Sequence, residues 1–262
     1  MDLQLTGRKA FISGSTKGIG LAIATSLARE GAHVVISGRG DDSVASAVEH
    51  IRSAVPDAAV ESFSGDLARA EESDRLFRQL LSLDILVNNL GIYEPKPFED
   101  IPDDDWRRFF EVNVLSAIRL ARNYLPGMKE RDWGRIVFIS SESGIQIPVE
   151  MIHYGVTKTA LLAVSRGIAE TCAGTGVTSN AILPGPTHTA GVDGFVAKLS
   201  AGKPFAEFEQ EFFRTVRPSS LLRRFALPEE VAGLVTYVCS PLSSATNGAA
   251  LRVDGGVVRA CF

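Results

Sequence analysis

A tyrosine and a lysine lie four residues apart in the segment "HYGVTK" (153–158), shortly after the serine-bearing stretch "FISSESG" (138–144). On a helix, positions i and i+4 share a face, so Lys158 would place a cation beside the Tyr154 phenol. Lowering the tyrosine pKa from about 10 by about three units needs roughly 4 kcal/mol of favourable interaction with the phenolate. The pair therefore predicts proton transfer at a hydroxyl oxygen, although one turn of an ordinary amphipathic helix shows the same spacing.

A glycine-rich loop, "SGSTKGIG" (13–20), follows the first predicted strand and runs directly into a helical pattern. Backbone N–H groups at a helix N-terminus, together with the positive end of the helix dipole, can hold a pyrophosphate. Gly14, Gly18 and Gly20 would permit the close approach that this requires. The loop predicts a dinucleotide site, and the alternative is a tight turn between strand and helix with no ligand.

The charges after the second predicted strand indicate which dinucleotide is bound. Where an NAD site usually has a carboxylate for the ribose 2′-OH, the chain has Gly38 followed by Arg39. Arg39 and Lys17 offer two cations for a 2′-phosphate, so the sequence favours NADP(H). Asp41 and Asp42 leave NAD(H) open, although both also fit as N-caps of the next helix.

Seven short apolar segments of strand type alternate with helical patterns along the chain. They are 9–13, 33–37, 59–63, 84–88, 135–140, 178–183 and 250–254. Strands that are apolar on both faces and separated by helices indicate a parallel sheet covered on both sides. We therefore predict an α/β fold with a doubly wound, mainly parallel, seven-stranded Rossmann-like sheet, in a single domain spanning residues 1–262.

Two long helices and one excursion from the sheet complete the predicted organisation. The helices are expected at about 103–129, with Asp103 or Asp104 as N-cap, and at about 152–173. The segment of about 189–222 is rich in Phe, Lys and Glu and has no strand pattern. We expect it to be helical and mobile and to act as a substrate lid.

Composition excludes several classes of protein. A formal net charge of -4 with 22% charged residues is ordinary for a globular protein and does not favour nucleic acid as a partner. We expect neither an export signal nor a membrane span, because no apolar run is long enough. Cys172, Cys239 and Cys261 have no metal-ligand spacing and are odd in number, so we expect a cytoplasmic protein without a metal.

Eight motifs in this order resemble the short-chain dehydrogenase/reductase family in its compact single-domain branch, with a general similarity to 3-oxoacyl-carrier-protein reductases. They are "SGSTKGIG" (13–20), "GDL" (65–67), "NNLG" (88–91), Asn113, "ISSESG" (139–144), "YGVTK" (154–158), "PGPTHT" (184–189) and "VDGG" (253–256). Together they extend over nearly the whole chain. The resemblance implies hydride transfer between a nicotinamide cofactor and a secondary alcohol or ketone.

The resemblance also implies the catalytic residues. Ser141, Tyr154 and Lys158 match the family's serine, tyrosine and lysine, and Asn113 matches the asparagine of its proton relay. Ser141 is preferred to Ser140 because the family serine is usually the second of such a pair. The chemistry needs these types: Tyr154 exchanges the hydroxyl proton and is the acid in carbonyl reduction, while Ser141 donates a hydrogen bond to the substrate oxygen. Lys158 lowers the tyrosine pKa and holds the nicotinamide ribose.

Cofactor contacts are implied in the glycine loop, at the strand ends and in the segment after the sixth strand. The predicted set is Gly14, Ser15, Thr16, Lys17, Gly18, Ile19, Gly20, Arg39, Asp66, Leu67, Asn89, Leu90, Gly91, Tyr154, Lys158, Pro184, Gly185, Thr187 and Thr189. Asp66 also fits as a helix N-cap. Leu90 departs from the family's usual alanine and would place a larger side chain next to the adenosine.

Residues that flank the motifs are candidates for substrate contact. The predicted set is Tyr93, Glu142, Gln146 and His188. Arg217, Arg223 and Arg224 would attract an anionic substrate, or else they are solvated surface groups. His153 points away from the face of Tyr154, and we interpret it as structural.

The sequence therefore predicts an NADP(H)-dependent oxidoreductase of a small-molecule alcohol or ketone. An NAD-dependent dehydrogenase of a sugar, steroid or hydroxyacyl substrate is the alternative enzyme. A non-catalytic redox sensor is the alternative from another class, and it is disfavoured because a sensor does not need a phenolate. The resemblance implies a homo-oligomer, a tetramer or a dimer, that packs the two long helices across a two-fold axis.

Overall fold

Seven strands form one sheet in the computed structural model, which describes residues 2–189 and 204–261. In chain order they are β1 (Lys9–Ile12), β2 (His33–Gly38), β3 (Val60–Ser64), β4 (Ile85–Asn88), β5 (Gly134–Ile139), β6 (Val177–Pro184) and β7 (Ala250–Val253). Neighbouring strands are parallel throughout, in the order β3-β2-β1-β4-β5-β6-β7. The predicted doubly wound parallel sheet is confirmed, and each strand boundary lies within about one residue of its prediction.

Helices connect the strands and cover both faces of the sheet. Within the described residues the α-helices are α1 (Gly18–Arg29), α2 (Asp41–Ala54), α3 (Ala70–Gln79), α4 (Asp103–Phe110), α5 (Ser116–Glu130), α6 (Ile152–Thr171), α7 (Phe205–Thr215) and α8 (Pro228–Cys239). No helix within the described ranges combines the length and the apolar character that crossing a bilayer requires.

Two hydrophobic cores lie on opposite faces of the sheet because successive strand residues point to opposite sides. Ala10 and Ile12 of β1 belong to the core that α1, α2 and α8 cover. Phe11, which lies between them, belongs to the core that α3, α5 and α6 cover. Both faces of each central strand are therefore buried, which explains the continuous apolar runs in the sequence.

The predicted aspartate caps are wrong. The N-cap of α2 is Gly40, and the N-cap of α4 is Pro102. Asp41 and Asp103 are each the first residue of their helix, and the aspartates that follow them also lie in the first turn. Carboxylates in a first turn interact with the positive end of the helix dipole without accepting a capping hydrogen bond.

The long helix predicted at about 103–129 is interrupted. A π-helical turn at Glu111–Leu115 separates α4 from α5, and Asn113 lies at its centre. Such turns insert one residue into a helix and change the direction in which the next side chain points. The Asn113 side chain contacts the segment after β4, where it donates a hydrogen bond to Ile92 O and accepts one from Ile92 N–H.

The excursion predicted at about 189–222 is helical where it is described. α7 occupies Phe205–Thr215, and residues 190–203 of the predicted lid lie outside the described residues. Phe208, Phe213 and Phe225 form a small separate core beside it. The Phe-rich composition therefore serves local packing as well as the wall of a cleft.

The direction of winding reverses between β1 and β4. From β1 the chain builds β2 and β3 on one side of the sheet, and then returns to add β4 to β7 on the other side. The loops after β1 and β4 therefore diverge and leave a crevice at the carboxyl ends of these strands. The glycine loop and the "NNLG" motif flank this crevice.

Candidate active site

The glycine loop between β1 and α1 is shaped by contacts that admit only glycine at its critical positions. Gly14 and Gly18 adopt positive φ angles of 62° and 57°. A Cβ atom on Gly20 would lie 2.5 Å from the Asn89 Nδ2 atom and 2.5 Å from the Gly14 carbonyl oxygen. The backbone of the loop can therefore approach a ligand closely, as a pyrophosphate site requires.

Asn89 ties the "NNLG" segment to this loop. Its Nδ2 atom donates to the carbonyl oxygens of Ser13 (3.0 Å) and Gly14 (2.9 Å). The Ser13 hydroxyl accepts from the backbone N–H groups of Asn89 (2.9 Å) and Leu90 (3.0 Å). The Leu90 side chain packs against the core on the α5 face, and it does not line the cleft described below. The Leu90 side chain thus does not narrow that cleft.

Two exposed cations flank the first two strand ends. The side chains of Lys17 and Arg39 form no ion pair within residues 2–189 and 204–261. A Cβ atom on Gly38 would lie 2.4 Å from Thr16 Cγ2, so the tip of β2 has no room for a larger side chain. Ser15 is used internally, because its hydroxyl donates to Ile12 O (2.7 Å) and accepts from Ser37 N–H (2.9 Å).

Asp66 and Leu67 follow β3 and have different surroundings. Asp66 is not an N-cap, because α3 begins at Ala70 and its N-cap is Arg69. Its carboxylate instead accepts from the backbone N–H of Ala68 (3.2 Å). Leu67 is buried in the core on the α5 face. The Leu67 side chain is therefore not free to contact an adenine.

A cleft of about 250 Å³ opens at the carboxyl ends of β4, β5 and β6. Its walls combine groups that carry charge or hydrogen bonds with apolar side chains. The lining residues are Ile19, Asn89, Gly91, Tyr93, Ile139, Ser140, Ser141, Glu142, Ser143, Met151, Tyr154, Lys158, Pro184, Gly185, Pro186, Thr187, Thr189, Phe212, Arg217 and Phe225. The cleft therefore brings together the predicted serine, tyrosine and lysine.

The two adjacent serines differ in what their hydroxyls contact. Ser140 Oγ donates to the backbone carbonyl of Lys158 (2.8 Å), so it joins β5 to α6. Ser141 Oγ donates to the Glu142 carboxylate (2.5 Å) and accepts from Ser143 N–H (3.1 Å). Ser141 also lies close enough to Tyr154 to lower the phenol pKa by hydrogen bonding. This geometry favours Ser141 as the serine that faces the reacting groups.

Tyr154 and Lys158 lie on one face of α6, but their electrostatics differ from the prediction. Lys158 Nζ is 5.6 Å from the centroid of the Tyr154 ring and donates to Ile139 O (2.9 Å). Burial lowers the pKa of Lys158 to about 8. Burial, with a contribution from the Glu142 carboxylate, raises the pKa of Tyr154 above its ordinary value. The pKa of Tyr154 therefore lies above and not below its ordinary value, although Lys158 shares its helix face, because desolvation dominates.

Asn113 is buried and fully engaged. Its Nδ2 atom donates to Ile92 O (3.0 Å) and Thr157 Oγ1 (3.0 Å), and its Oδ1 atom accepts from Ile92 N–H (2.7 Å). It thus links the segment after β4 to α6. A Cβ atom on Gly91 would lie 3.3 Å from Lys158 Nζ, so the glycine gives the ammonium group its space.

The "PGPTHT" segment divides between the cleft and a neighbouring aromatic cluster. Pro184, Gly185, Thr187 and Thr189 line the cleft, and Thr189 also packs over Gly18. His188 does not line the cleft, because its ring stacks on Phe205 with centroids 4.6 Å apart. The predicted substrate contact from His188 is therefore not supported by the position of its ring.

Of the three remaining candidates for substrate contact, two line the cleft and one does not. Tyr93 lines the cleft, with its ring edge-to-face with Tyr154 at 6.3 Å, and Glu142 also lines it. Gln146 is exposed and lies outside the cleft, because the turn after Glu142–Gly144 carries it to the surface. The prediction is thus not supported for Gln146.

Sequence reasoning missed several residues of the cleft wall. Met151, Phe212 and Phe225 supply apolar surface, and Ser143 supplies a hydroxyl. Arg217 was predicted either to attract an anionic substrate or to be a solvated surface group, yet it is buried and bonded to two carboxylates. The periodicity of α7 gave a signal for Phe212, but no sequence pattern indicates that Arg217 meets Glu142.

His153 is buried next to the catalytic candidates and is not part of the cleft. Neither ring nitrogen has a hydrogen-bond partner within the described residues, and the ring packs against Phe109 with centroids 4.0 Å apart. Burial lowers the pKa of His153 from its ordinary value of 6.5, opposed in part by Asp105. The position agrees with the structural interpretation of this histidine.

Protonation of His153 should make the stability of the protein depend on pH. Below about pH 6.5 the unfolded chain binds a proton at this position that the folded protein rejects, so the free energy of unfolding falls as pH falls. The slope for one such group is at most about 1.4 kcal/mol per pH unit. Urea unfolding between about pH 5 and pH 7.5 should show a smaller slope for His153→Phe than for wild type.

The exposed His50 on α2 provides the matched control. His50→Phe should leave the slope unchanged. An unchanged slope in His153→Phe would contradict this account of the buried ring.

Comparisons with known proteins find similar sequences and structures that cover nearly the whole chain. Residues 14–258 match the sequence profile of the family described as Enoyl-(Acyl carrier protein) reductase. "Uncharacterized oxidoreductase YvaG" of Bacillus subtilis is 47% identical over 264 residues, covering 100% of both chains. D-beta-hydroxybutyrate dehydrogenase of Cupriavidus necator is 34% identical over 97% of this chain and 99% of its own. The structure of L-sorbose reductase from Gluconobacter frateurii, complexed with NADPH and L-sorbose, matches with a TM-score of 0.93 and 31% identity, over 99% of this chain and 100% of that one.

Proposed function

Because the chain belongs to the short-chain dehydrogenase/reductase family of oxidoreductases, we propose that it transfers a hydride between NADP(H) and a secondary alcohol or ketone. One observation carries the proposal. Ser141, Tyr154 and Lys158 line one cleft, and Ile19 of the glycine loop lines the same cleft. A nucleotide on the loop would thus place its reactive end beside a proton donor.

The described residues fit a dinucleotide. Gly20 has no room for a Cβ atom, and two exposed cations, Lys17 and Arg39, lie where a 2′-phosphate would be bound. The loop backbone would hold the pyrophosphate, Lys158 the nicotinamide ribose, and the backbone near Thr187 the carboxamide. When bound, NADPH supplies the hydride for the carbonyl carbon.

The chain's own residues supply the proton and the orientation. Like any phenol, Tyr154 holds its proton at neutral pH and can donate it to the carbonyl oxygen in the reduction. Ser141 donates a hydrogen bond to the substrate oxygen and steadies the charge that develops there. Asn113 positions the segment after β4 and α6 relative to each other. We propose reduction as the favoured direction, which the similarity to a reductase complexed with NADPH supports.

Replacing Arg39 tests whether this residue makes the protein prefer NADP(H) to NAD(H). The complex of L-sorbose reductase with NADPH supports this choice, as does the lack of a carboxylate at Gly38. Arg39→Ala should lower the preference for NADPH over NADH in equilibrium binding by about 10- to 100-fold, because a charge-assisted hydrogen bond to phosphate is lost. Arg78→Ala, a matched exposed arginine on α3, should leave the ratio unchanged. A ratio that survives in Arg39→Ala would overturn the role of Arg39.

Measuring turnover distinguishes an enzyme from the alternative hypothesis, a redox sensor. NADPH absorbance is followed with a panel of ketones, and NADP⁺ reduction with the corresponding alcohols. Turnover on any of them supports the enzyme. Tight NADPH binding with no turnover on the whole panel would favour the sensor.

We also propose a homo-oligomer and a substrate-binding role for the segment that contains α7. Phe110, Leu115 and Val156 are apolar and exposed on α4, the π-helical turn and α6, which supports packing of this face against a second copy. Phe212 and Arg217 line the cleft, which supports the role of α7 and the turn after it. Light scattering that gives the mass of a monomer would contradict the first proposal.

A further inference from the structure

A buried carboxylate and a buried guanidinium face each other in the cleft. Glu142 is 5% exposed and Arg217 is 9% exposed, and both line the cleft beside Ser141. Glu142 Oε1 accepts from Arg217 Nε (3.2 Å), while Glu142 Oε2 accepts from Ser141 Oγ (2.5 Å). The carboxylate thus connects the serine to the turn after α7. A buried carboxylate is retained when it is paired with a cation and hydrogen-bonded, as Glu142 is by Arg217 and Ser141, so these partners determine what else can bind.

The charge of Arg217 is already matched. Its Nη1 atom donates to Glu150 Oε1 (3.1 Å) and to Val216 O (3.1 Å), in addition to the bond from Nε to Glu142. Two carboxylates therefore surround one guanidinium, which leaves this group of three side chains with a net negative charge. An anionic substrate placed here would meet that charge in a site of low dielectric. A carboxylate or phosphate beside Ser141 would face the Glu142 carboxylate, whose partner Arg217 is already shared with Glu150.

The bond from Ser141 to Glu142 competes with the reaction. In carbonyl reduction the Ser141 hydroxyl must donate to the substrate oxygen, yet in the structure it donates to Glu142. If that proton turns to the substrate, Glu142 Oε2 loses a donor, and a buried carboxylate with an unfilled lone pair costs free energy. A second donor on the substrate would remove this cost.

The distances indicate where that second donor lies. A carbonyl oxygen that accepts a hydrogen bond from Ser141 Oγ lies within about 3 Å of that atom. Glu142 Oε2 lies 2.5 Å from the same Ser141 Oγ atom. A hydroxyl on the carbon next to the carbonyl carbon is then in reach of the carboxylate. Neighbouring apolar groups, Met151 and Phe212, offer no competing acceptor.

We propose that Glu142 accepts a hydrogen bond from a substrate hydroxyl adjacent to the carbonyl, so that the substrates are neutral α-hydroxyketones, which are reduced to vicinal diols. The proposal rests on the function proposed above. In the reaction, one hydride from NADPH adds to the carbonyl carbon and the Tyr154 proton adds to the carbonyl oxygen. NADP⁺ leaves, and solvent returns a proton to Tyr154.

Three ketones of the same size test this substrate class. Hydroxyacetone, butan-2-one and pyruvate share an acetyl group, which carries a hydroxymethyl, an ethyl and a carboxylate group, respectively. The kcat/KM for NADPH oxidation should be about 10- to 100-fold higher for hydroxyacetone than for butan-2-one, and lowest for pyruvate. A second matched pair, 1,3-dihydroxyacetone and pentan-3-one, should show the same order.

Variants of Glu142 test whether its carboxylate causes the preference for hydroxyacetone over butan-2-one. Glu142→Gln has nearly the same shape and should reduce the preference for hydroxyacetone over butan-2-one by about tenfold, because a neutral acceptor replaces a charged one. Glu142→Ala should abolish the preference. Glu150→Gln is the matched control, since Glu150 bonds the same arginine but neither lines the cleft nor touches Ser141, and it should keep the preference. The ratio of two ketones is measured on one sample, so a loss of folded protein does not change it.

The outcomes separate this inference from the proposed function. Turnover of ketones without preference for the hydroxylated member would overturn the inference alone. A preference for pyruvate, or a preference that Glu142→Ala retains, would also overturn it. Turnover of none of the ketones or alcohols tried would overturn both.

Discussion

Replacing Tyr154 with Phe is expected to lower kcat for ketone reduction by about 10²- to 10⁴-fold, the usual contribution of a positioned proton donor. The substitution removes only the hydroxyl, and the ring keeps its contacts with Tyr93 and with the α6 face. NADPH should therefore bind with little change in Kd. Stopped-flow or steady-state NADPH absorbance gives kcat, and fluorescence titration gives the Kd.

Tyr237→Phe is the matched control for this variant. Tyr237 is 40% exposed on α8, away from the cleft, so the same chemical change there should leave kcat unaltered. Residual turnover of Tyr154→Phe within about tenfold of wild type would exclude the phenol as the main proton donor.

Replacing Lys158 with Met is expected to lower kcat by about 10²- to 10³-fold, the usual cost of losing one preorganised charge. When Tyr154 gives up its proton, the phenolate forms in a buried site that burial and Glu142 already make unfavourable. The Lys158 ammonium, 5.6 Å from the ring centroid, is the nearby cation that stabilises this anion. Met has similar length and removes only the charge and the donors. Lys129→Met, on the surface end of α5, should leave kcat unchanged.

Lys158 also makes cofactor binding depend on pH. Because burial lowers the pKa of Lys158 to about 8, the group is charged below that pH and neutral above it. Because the ammonium form of Lys158 is proposed to bind NADPH, the Kd for NADPH should rise as the pH rises above about 8, by at most about tenfold per pH unit. Titrations of Lys158→Met should give a Kd that does not change over the same range. A wild-type Kd that is also constant would show that the ammonium group does not hold the cofactor.

Local patterns were sufficient to predict the sheet. Each strand of the core is a short apolar run because both of its faces are covered, and each crossover carries a helical period. All seven strands were therefore found within about one residue of their observed bounds. Helix starts were predicted less well, since an aspartate before a helix and an aspartate in its first turn look alike in sequence.

Electrostatics could not be predicted in the same way. The spacing of Tyr154 and Lys158 indicated that the two residues share a helix face, and the structure agrees. It did not indicate that the phenol is desolvated or that Glu142 lies beside it, and these two effects raise the tyrosine pKa where a lower value was expected. Desolvation depends on everything that packs around a group, and most of that packing comes from distant parts of the chain.

The sequence by itself determined the parallel sheet, the glycine loop and the order of Ser141, Tyr154 and Lys158, because each depends on residues close together in the chain. Tertiary structure alone decided that Arg217 pairs with Glu142 across 75 positions, that His188 stacks away from the cleft and that Gln146 is exposed. Such contacts depend on how two surfaces meet after folding, and no local periodicity records them. The same long-range packing sets the charge around the reacting groups, and with it the substrate that the cleft is proposed to select.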